Sequence, residues 1–183
     1  MLSGSEGRGK RTGTQALLPV PGAVLAGELL RRAEEDRELT RQAQVTPAPY
    51  FRRRLLEVRR DNAGALERTV ARHGWPTVDQ VGDPASTAAL MILLHSPDLA
   101  FQRTCRDLIA QAAADGRCPA VHHAYIADHC AVEEGSPQFY GTRVNPITLH
   151  PYPTRRPQTL DERRRDVGLG PLAEQMRVLR SEH

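Results

Sequence analysis

The sequence predicts a mainly α-helical fold, a single bundle of about five to seven helices with one small extended or β-hairpin element near residues 138–150. Three observations carry this reading. Apolar residues recur at three- and four-residue spacing through most of the chain, and proline and glycine punctuate those stretches. Aromatic residues make up only 4% of the chain, so the core must be aliphatic and alanine-rich. At 183 residues, 39% of them hydrophobic, there is room for one domain with a sizeable core and not for two of ordinary size.

Residues 1–20 hold Gly, Ser, Arg and Thr without apolar periodicity and read as a flexible tail ahead of a helical domain at 21–183. From Ala23 to Gln44, Leu25, Leu29, Ala33 and Leu39 form a drifting stripe among charges, an amphipathic helix that Pro47 and Pro49 end. Tyr50 to His73 carries Leu55, Val58, Leu66 and Val70, with a break expected near Asp61 and Asn62 and a stop at Gly74 and Pro76. Trp75 sits in that corner, as a plug over the helix ends or as a stacking surface for a ligand. Asp83-Pro84 is a helix start, and Ala88 to Leu94 are apolar on every side, so the helix to His95 should be buried all round.

Ser96-Pro97-Asp98 starts the next helix, which places Phe101, Cys105, Leu108 and Ala112 on its inner face and stops at Gly116. Pro119 opens a helix to about Glu134, and Gly135-Ser136-Pro137 closes it. Gln138 to Val144 is short and β-prone, while Pro146, Pro151, Pro153 and Pro157 exclude a regular helix, so a small strand or hairpin should lead into an extended loop. Thr159 to Glu162 has the capping-box pattern of a short helix ending at Gly168, and Pro171 starts a last helix through Leu179.

Composition removes several function classes. The net charge is +3, with Lys10 the single lysine among 25 basic residues, but 22 acidic residues are interleaved with them. A nucleic-acid binder concentrates its charge on one face, so no nucleic-acid partner is expected. No apolar run is long enough to cross a bilayer and residues 1–10 lack a signal-peptide pattern, which points to a cytoplasmic protein of bacterial type with no membrane partner. Cys105, Cys118 and Cys130 show no CxxC spacing and read as free thiols.

Chemistry is expected at a few polar residues on apolar or turn elements. Asp128 has Val121, Ala124, Tyr125, Ala131 and Val132 at helical offsets, and a carboxylate on an apolar face is either a tuned acid/base group or a structural partner of an N–H or arginine. The opposite face, with His122, Ile126, His129 and Cys130, also has apolar character, which leaves the buried side open. His95 ends the helix expected to be most buried, where it serves as acid or base, or caps its helix. Gln138, Tyr140 and Thr142 place an amide, a phenol and a hydroxyl beside Gly141, able to orient a polar ligand or to tie a turn to the helices. Cys118, His122, His123, Asp128, His129 and Cys130 crowd into a short stretch, but only Cys118 and His122 have one-turn spacing and no zinc motif follows. Nucleophile-elbow, phosphate-loop, dinucleotide and His-Glu-x-x-His motifs are all absent.

The succession Asp61-Asn62, His73-Gly74-Trp75-Pro76-Thr77, Val81-Gly82, Leu94-His95-Ser96, Ala100-Phe101-Gln102, Tyr125-Ile126-Ala127-Asp128, Gln138-Phe139-Tyr140-Gly141-Thr142 and Asp161-Glu162-Arg163-Arg164 with Val167-Gly168-Leu169 resembles a bacterial family of unknown function over roughly residues 23–180. The family pattern reads Gln-His-Ala-Asp where this chain has Leu94-His95-Ser96-Pro97. It reads Asp-Arg-Val at Asp128-His129-Cys130, and Tyr-Gly-Thr-Gln at Tyr140-Gly141-Thr142-Arg143. The resemblance implies a helical bacterial domain and brings no established activity.

The function expected from these residues is a small enzyme that needs no cofactor and uses acid/base chemistry on a polar small molecule, a hydrolase, lyase, isomerase or cyclase of bacterial specialised metabolism. His95, Asp128 and Tyr140 are its catalytic candidates, with Asp128 orienting His95 or sharing its proton, and Gln138, Thr142, Trp75 and Arg143 its substrate-binding candidates. Two alternatives stay open: a binding protein whose polar residues are structural, docking through Ala23–Gln44 or Pro146–Pro157, and a metal-binding domain at Cys118–Cys130. A homo-oligomer is compatible with all three.

Overall fold

Proline and glycine set the ends of the helices, as their backbone chemistry requires. The computed structural model describes residues 21–45 and 48–181. The expected flexible tail at 1–20 lies outside the described residues. Among those described there are eight α-helices, in the order α1 Pro21–Val45, α2 Pro49–His73, α3 Val78–Val81, α4 Asp83–Leu94, α5 Leu99–Ala114, α6 Ala120–Glu133, α7 Leu160–Asp166 and α8 Leu172–Ser181. This exceeds the expected five to seven because α3, one turn after Thr77, is a separate element. Gln80 Oε1 accepts from the Thr77 N–H at 3.3 Å. Gly82, at φ 82°, ends α3 and takes the N-cap position of α4 that the sequence assigned to Asp83. A side chain there would be strained.

The expected break in α2 does not occur. Asn62 is buried and donates to the Arg32 carbonyl at 3.2 Å, while Arg32 Nη1 donates to Asn62 Oδ1 at 3.0 Å and to Asp61 Oδ2 at 2.6 Å. The polar pair thus clamps α2 onto α1. Its hydrogen bonds are made outward, and none competes with the backbone of its own helix.

At the centre lies α4, in contact with α1, α2, α3, α5 and α6. Ala85, Ala88 and Ala89 let neighbouring helices approach closely, and Leu90, Ile92 and Leu93 fill the space around them. Only Thr87 and Met91 open to solvent along the middle of the helix. Leu29 from α1, Leu66 from α2, Cys105 and Ile109 from α5, and Ile126 and Cys130 from α6 complete the core. Each large aliphatic side chain buried here contributes about 1.5–3 kcal/mol. On α5 the inner face is Gln102, Cys105, Ile109 and Ala112, so the stripe passes through Ile109 and leaves Leu108 37% exposed. Asp98 caps α5, accepting from the Phe101 N–H at 3.0 Å.

No strand or hairpin forms near 138–150 among the described residues, which show only two isolated bridges, Gln138 with Thr154 and Val144 with Pro151. The reason lies in where the backbone donors go. Pro146, Pro151 and Pro153 have no N–H to give. The N–H groups of Phe139, Tyr140 and Thr142 bind the Asp128 carboxylate, and that of Arg143 binds Gln138 Oε1 at 2.9 Å. Too few donors remain for a ladder. A 3₁₀ turn at Pro157–Thr159 leads into α7. The Thr159 hydroxyl accepts from Arg163 Nη1 at 2.6 Å instead of closing a capping box. No described helix is long and apolar enough to cross a membrane.

Candidate functional site

The sequence-predicted residues divide between two places, each organised by a buried carboxylate. Asp128, in the middle of α6, is 0% exposed. Its Oδ1 accepts from Phe139 N at 2.6 Å and Tyr140 N at 3.0 Å, and its Oδ2 from Thr142 N and Thr142 Oγ1, both at 2.9 Å. Gly141 makes this wrap possible, with φ 68° in the left-handed region. Gln138 is equally inaccessible: Nε2 donates to the Arg143 carbonyl at 3.0 Å and the Tyr152 carbonyl at 2.9 Å. Arg164, 1% exposed, ties the same loop to the C-terminus, donating to the carbonyls of Tyr140 at 2.7 Å and Gly170 at 2.6 Å and to Gln175 Oε1 at 2.7 Å. Every one of these contacts holds the loop. Asp128 makes no contact with His95, and Gln138 has no surface to offer a ligand.

The carboxylate partner of His95 is Asp36, on α1. His95 caps the C-terminus of α4, and its Nδ1 lies 3.1 Å from Asp36 Oδ2. Arg59 of α2 grips the same carboxylate, Nε at 3.1 Å from Oδ2 and Nη2 at 3.2 Å from Oδ1, while Thr40 Oγ1 donates to Oδ1 at 3.1 Å. Burial works against ionising Asp36, but hydrogen bonds from His95 and Arg59, with their charges, outweigh it and hold the carboxyl at about 2. An ionised carboxylate only accepts, so His95 Nδ1 carries the proton and Nε2 is the free nitrogen. Asp36 is 4% exposed, whereas the His95 side chain is 33% exposed. The imidazole therefore reaches a cavity of about 300 Å³ lined also by Ala33, Thr40, Gln44, Met91 and Ile92.

This arrangement is suited to proton transfer. A fixed carboxylate behind Nδ1 orients the ring and holds one tautomer, which leaves Nε2 placed to take up or return a proton. Asp36, Arg59 and Thr40 were not singled out in the sequence. The signal was there: Asp36 follows Leu29 by seven residues and Ala33 by three, which sets a carboxylate on the inner stripe of α1.

A second polar contact joins α6 to the loop that follows it. Arg143 Nη1 donates to His129 Nδ1 at 2.9 Å, and Nη2 reaches Glu133 Oε1 at 3.4 Å. Burial and then the charge of Arg143 push His129 down, with Glu133 opposing them. His129 and Arg143 are thus hydrogen-bonded neighbours.

The remaining candidates are placed apart from His95. Trp75 is 4% exposed and packs in the core, so it has no free face for a ligand. Its Nε1 and Ser86 Oγ are buried without a conventional partner, and both ease the burial that raises the Cys118 thiol. Cys118 Sγ lies 3.3 Å from His122 Nδ1, and Thr87 Oγ1 lies 3.2 Å from Nε2. The suggested metal cluster does not assemble further: among the described residues no three His, Cys, Asp or Glu side chains are arranged to hold an ion. Burial pushes Cys105 up to about 12 and raises Cys118 and Cys130, so all three thiols stay protonated. Tyr140 faces a different cavity, with His123.

Fold and site together define an α-helical protein with an aspartate–histidine pair opening on a small cavity. A family model described as a family of unknown function, DUF6624, matches residues 24–183, and the chain belongs to that family. No curated protein and no solved structure matches the chain.

Proposed function

We propose that the protein is an acid/base enzyme acting without a redox cofactor on a small polar molecule bound in the cavity beside His95. The contact between Asp36 and His95 is the observation that carries this reading. A carboxylate that is almost wholly buried, ionised, and gripped by Arg59 and Thr40 is a costly way to anchor a half-exposed imidazole. That cost is understandable where the ring must keep one tautomer at a ligand. Gln44, Arg37 and Arg41 bring polar groups to the cavity, and Ala33, Met91 and Ile92 offer apolar contact, which suits a compact substrate with both characters. Hydrolysis, elimination, isomerisation and cyclisation all use such a base.

Incubation of the protein with metabolite pools, read by mass spectrometry, tests the reading. A conversion by the native chain should fall by at least about a hundredfold in His95→Asn and in Asp36→Asn, the ordinary contribution of a positioned acid or base. A conversion that persists at the native rate in both variants removes the assignment.

A further inference from the structure

A second cavity, of about 440 Å³, is lined by Arg106, Asp107, His123, Glu134, Tyr140 and Arg155 together with the Phe139 ring. The loop that carries Phe139 and Tyr140 is tied down through its backbone. Its amides are bound to Asp128, the Phe139 carbonyl accepts from Arg163 Nε at 2.9 Å and the Tyr140 carbonyl from Arg164 Nη1 at 2.7 Å. With the backbone bound on all sides, the Phe139 and Tyr140 side chains are presented at fixed positions. That is the preorganisation a binding site needs.

Charge is distributed unevenly around this cavity. Arg106 is engaged by Asp107 at 2.9 Å and Glu134 by Arg103 at 3.4 Å, so those charges are paired. Arg155 has no carboxylate within ion-pair distance among the described residues. Its guanidinium lies 4.2 Å from the centre of the Phe139 ring, and Nε donates to the Pro137 carbonyl at 3.0 Å. Stacking and that single bond fix the plane of the cation and leave its two Nη groups as donors. His123 and Tyr140 make no side-chain hydrogen bond to any described residue. Burial and the charge of Arg106 push His123 down, and burial with the charge of Asp128 pushes the Tyr140 hydroxyl up, so both are neutral near pH 7.

We propose that this cavity is a second ligand site, taking a small molecule with an oxyanion, carboxylate or phosphate, anchored by Arg155, and with a neutral polar part between His123 and Tyr140. It is separate from the cavity at His95 and does not depend on the reading given to that pair. A planar cation with a paired-donor edge matches an oxyanion, and two neutral hydrogen-bonding groups match an uncharged partner.

Titration of the full chain with inorganic phosphate, and separately with acetate, followed by NMR at the His123 ring and the Arg155 side chain, tests the site. Saturable shifts with at least one anion are expected, and the two arms tell a phosphate site from a carboxylate site. Arg155→Gln should weaken binding by about tenfold, the usual worth of a charge-assisted hydrogen bond. His95→Asn should leave it unchanged. Should Arg155→Gln fail to fold, Arg155→Lys and His123→Gln probe the same site and should each weaken binding. Absence of saturable shifts with both anions, or binding unaffected by these variants, overturns the proposal.

Discussion

Asp36 and Asp128 are both buried carboxylates on long helices, yet they are built for different work. Asp128 takes its donors from the backbone and one hydroxyl of a single loop, and its own surroundings admit no solvent. Asp36 takes its donors only from side chains, on three different helices or their ends, and two of those donors, Thr40 and His95, line a cavity. A carboxylate satisfied by backbone amides fixes a chain path. One satisfied by side chains fixes the position and protonation of those side chains, which is a property of sites.

The contrast is broken most directly at Asp128. Asp128→Ala strands the N–H groups of Phe139, Tyr140 and Thr142 in the interior, and should cost about 4 kcal/mol, measured as a lower midpoint in urea. The loop should open first, seen as amide exchange at residues 139–143 ahead of α4. Next in size is the effect on turnover. His95→Asn should lower a native conversion about a hundredfold and leave the unfolding midpoint within the range of an ordinary surface change. A large loss of stability in that variant would mean that His95 is structural, and the distinction between the two carboxylates would collapse.

Acid titration sharpens the same comparison. The Asp36 carboxyl sits at about 2 in the folded protein, below its unfolded value of about 3.9. A depressed folded value stabilises above the unfolded one, so the contribution, about 2 kcal/mol, is complete above about pH 4 and is lost as pH falls toward about 2. Asp36→Asn should therefore be less stable than the native chain at neutral pH and equal to it near pH 2. A stability gap that stayed constant across that range would show that Asp36 is held by packing and not by its charge.

Local signals in the sequence carried far, and long-range ones did not. Gly74, Pro84, Asp98, Gly116 and Pro119 mark helix ends by their backbone chemistry, and α1, α2, α4, α5 and α6 lie within a few residues of where those marks set them. Thr77-Val78-Asp79-Gln80 also carried a start signal, which α3 uses. The hairpin failed because the amides of Phe139, Tyr140 and Thr142 pair with a carboxylate eleven or more positions away, and periodicity has no access to such a partner. His95 was legible as a polar group ending an apolar helix. Its partner was not, because Asp36 stands in the run Glu34-Glu35-Asp36-Arg37-Glu38, which reads as a solvated face until the stripe from Leu29 is followed through it.

The smallest expected effect lies at the contact of Arg143 with His129. Arg143 is only partly buried and its pairing with Glu133 is long, so Arg143→Gln should change stability by no more than about 0.5 kcal/mol. Its electrostatic effect should be visible all the same. The guanidinium is the second cause, after burial, that holds His129 down. Removing it should let the His129 value rise, while burial keeps it below the ordinary 6.5. The ring proton shifts of His129, followed by NMR against pH in the native chain and in Arg143→Gln, report this directly. An unchanged His129 value in Arg143→Gln would show that burial alone sets it and that the contact with Arg143 carries no charge effect.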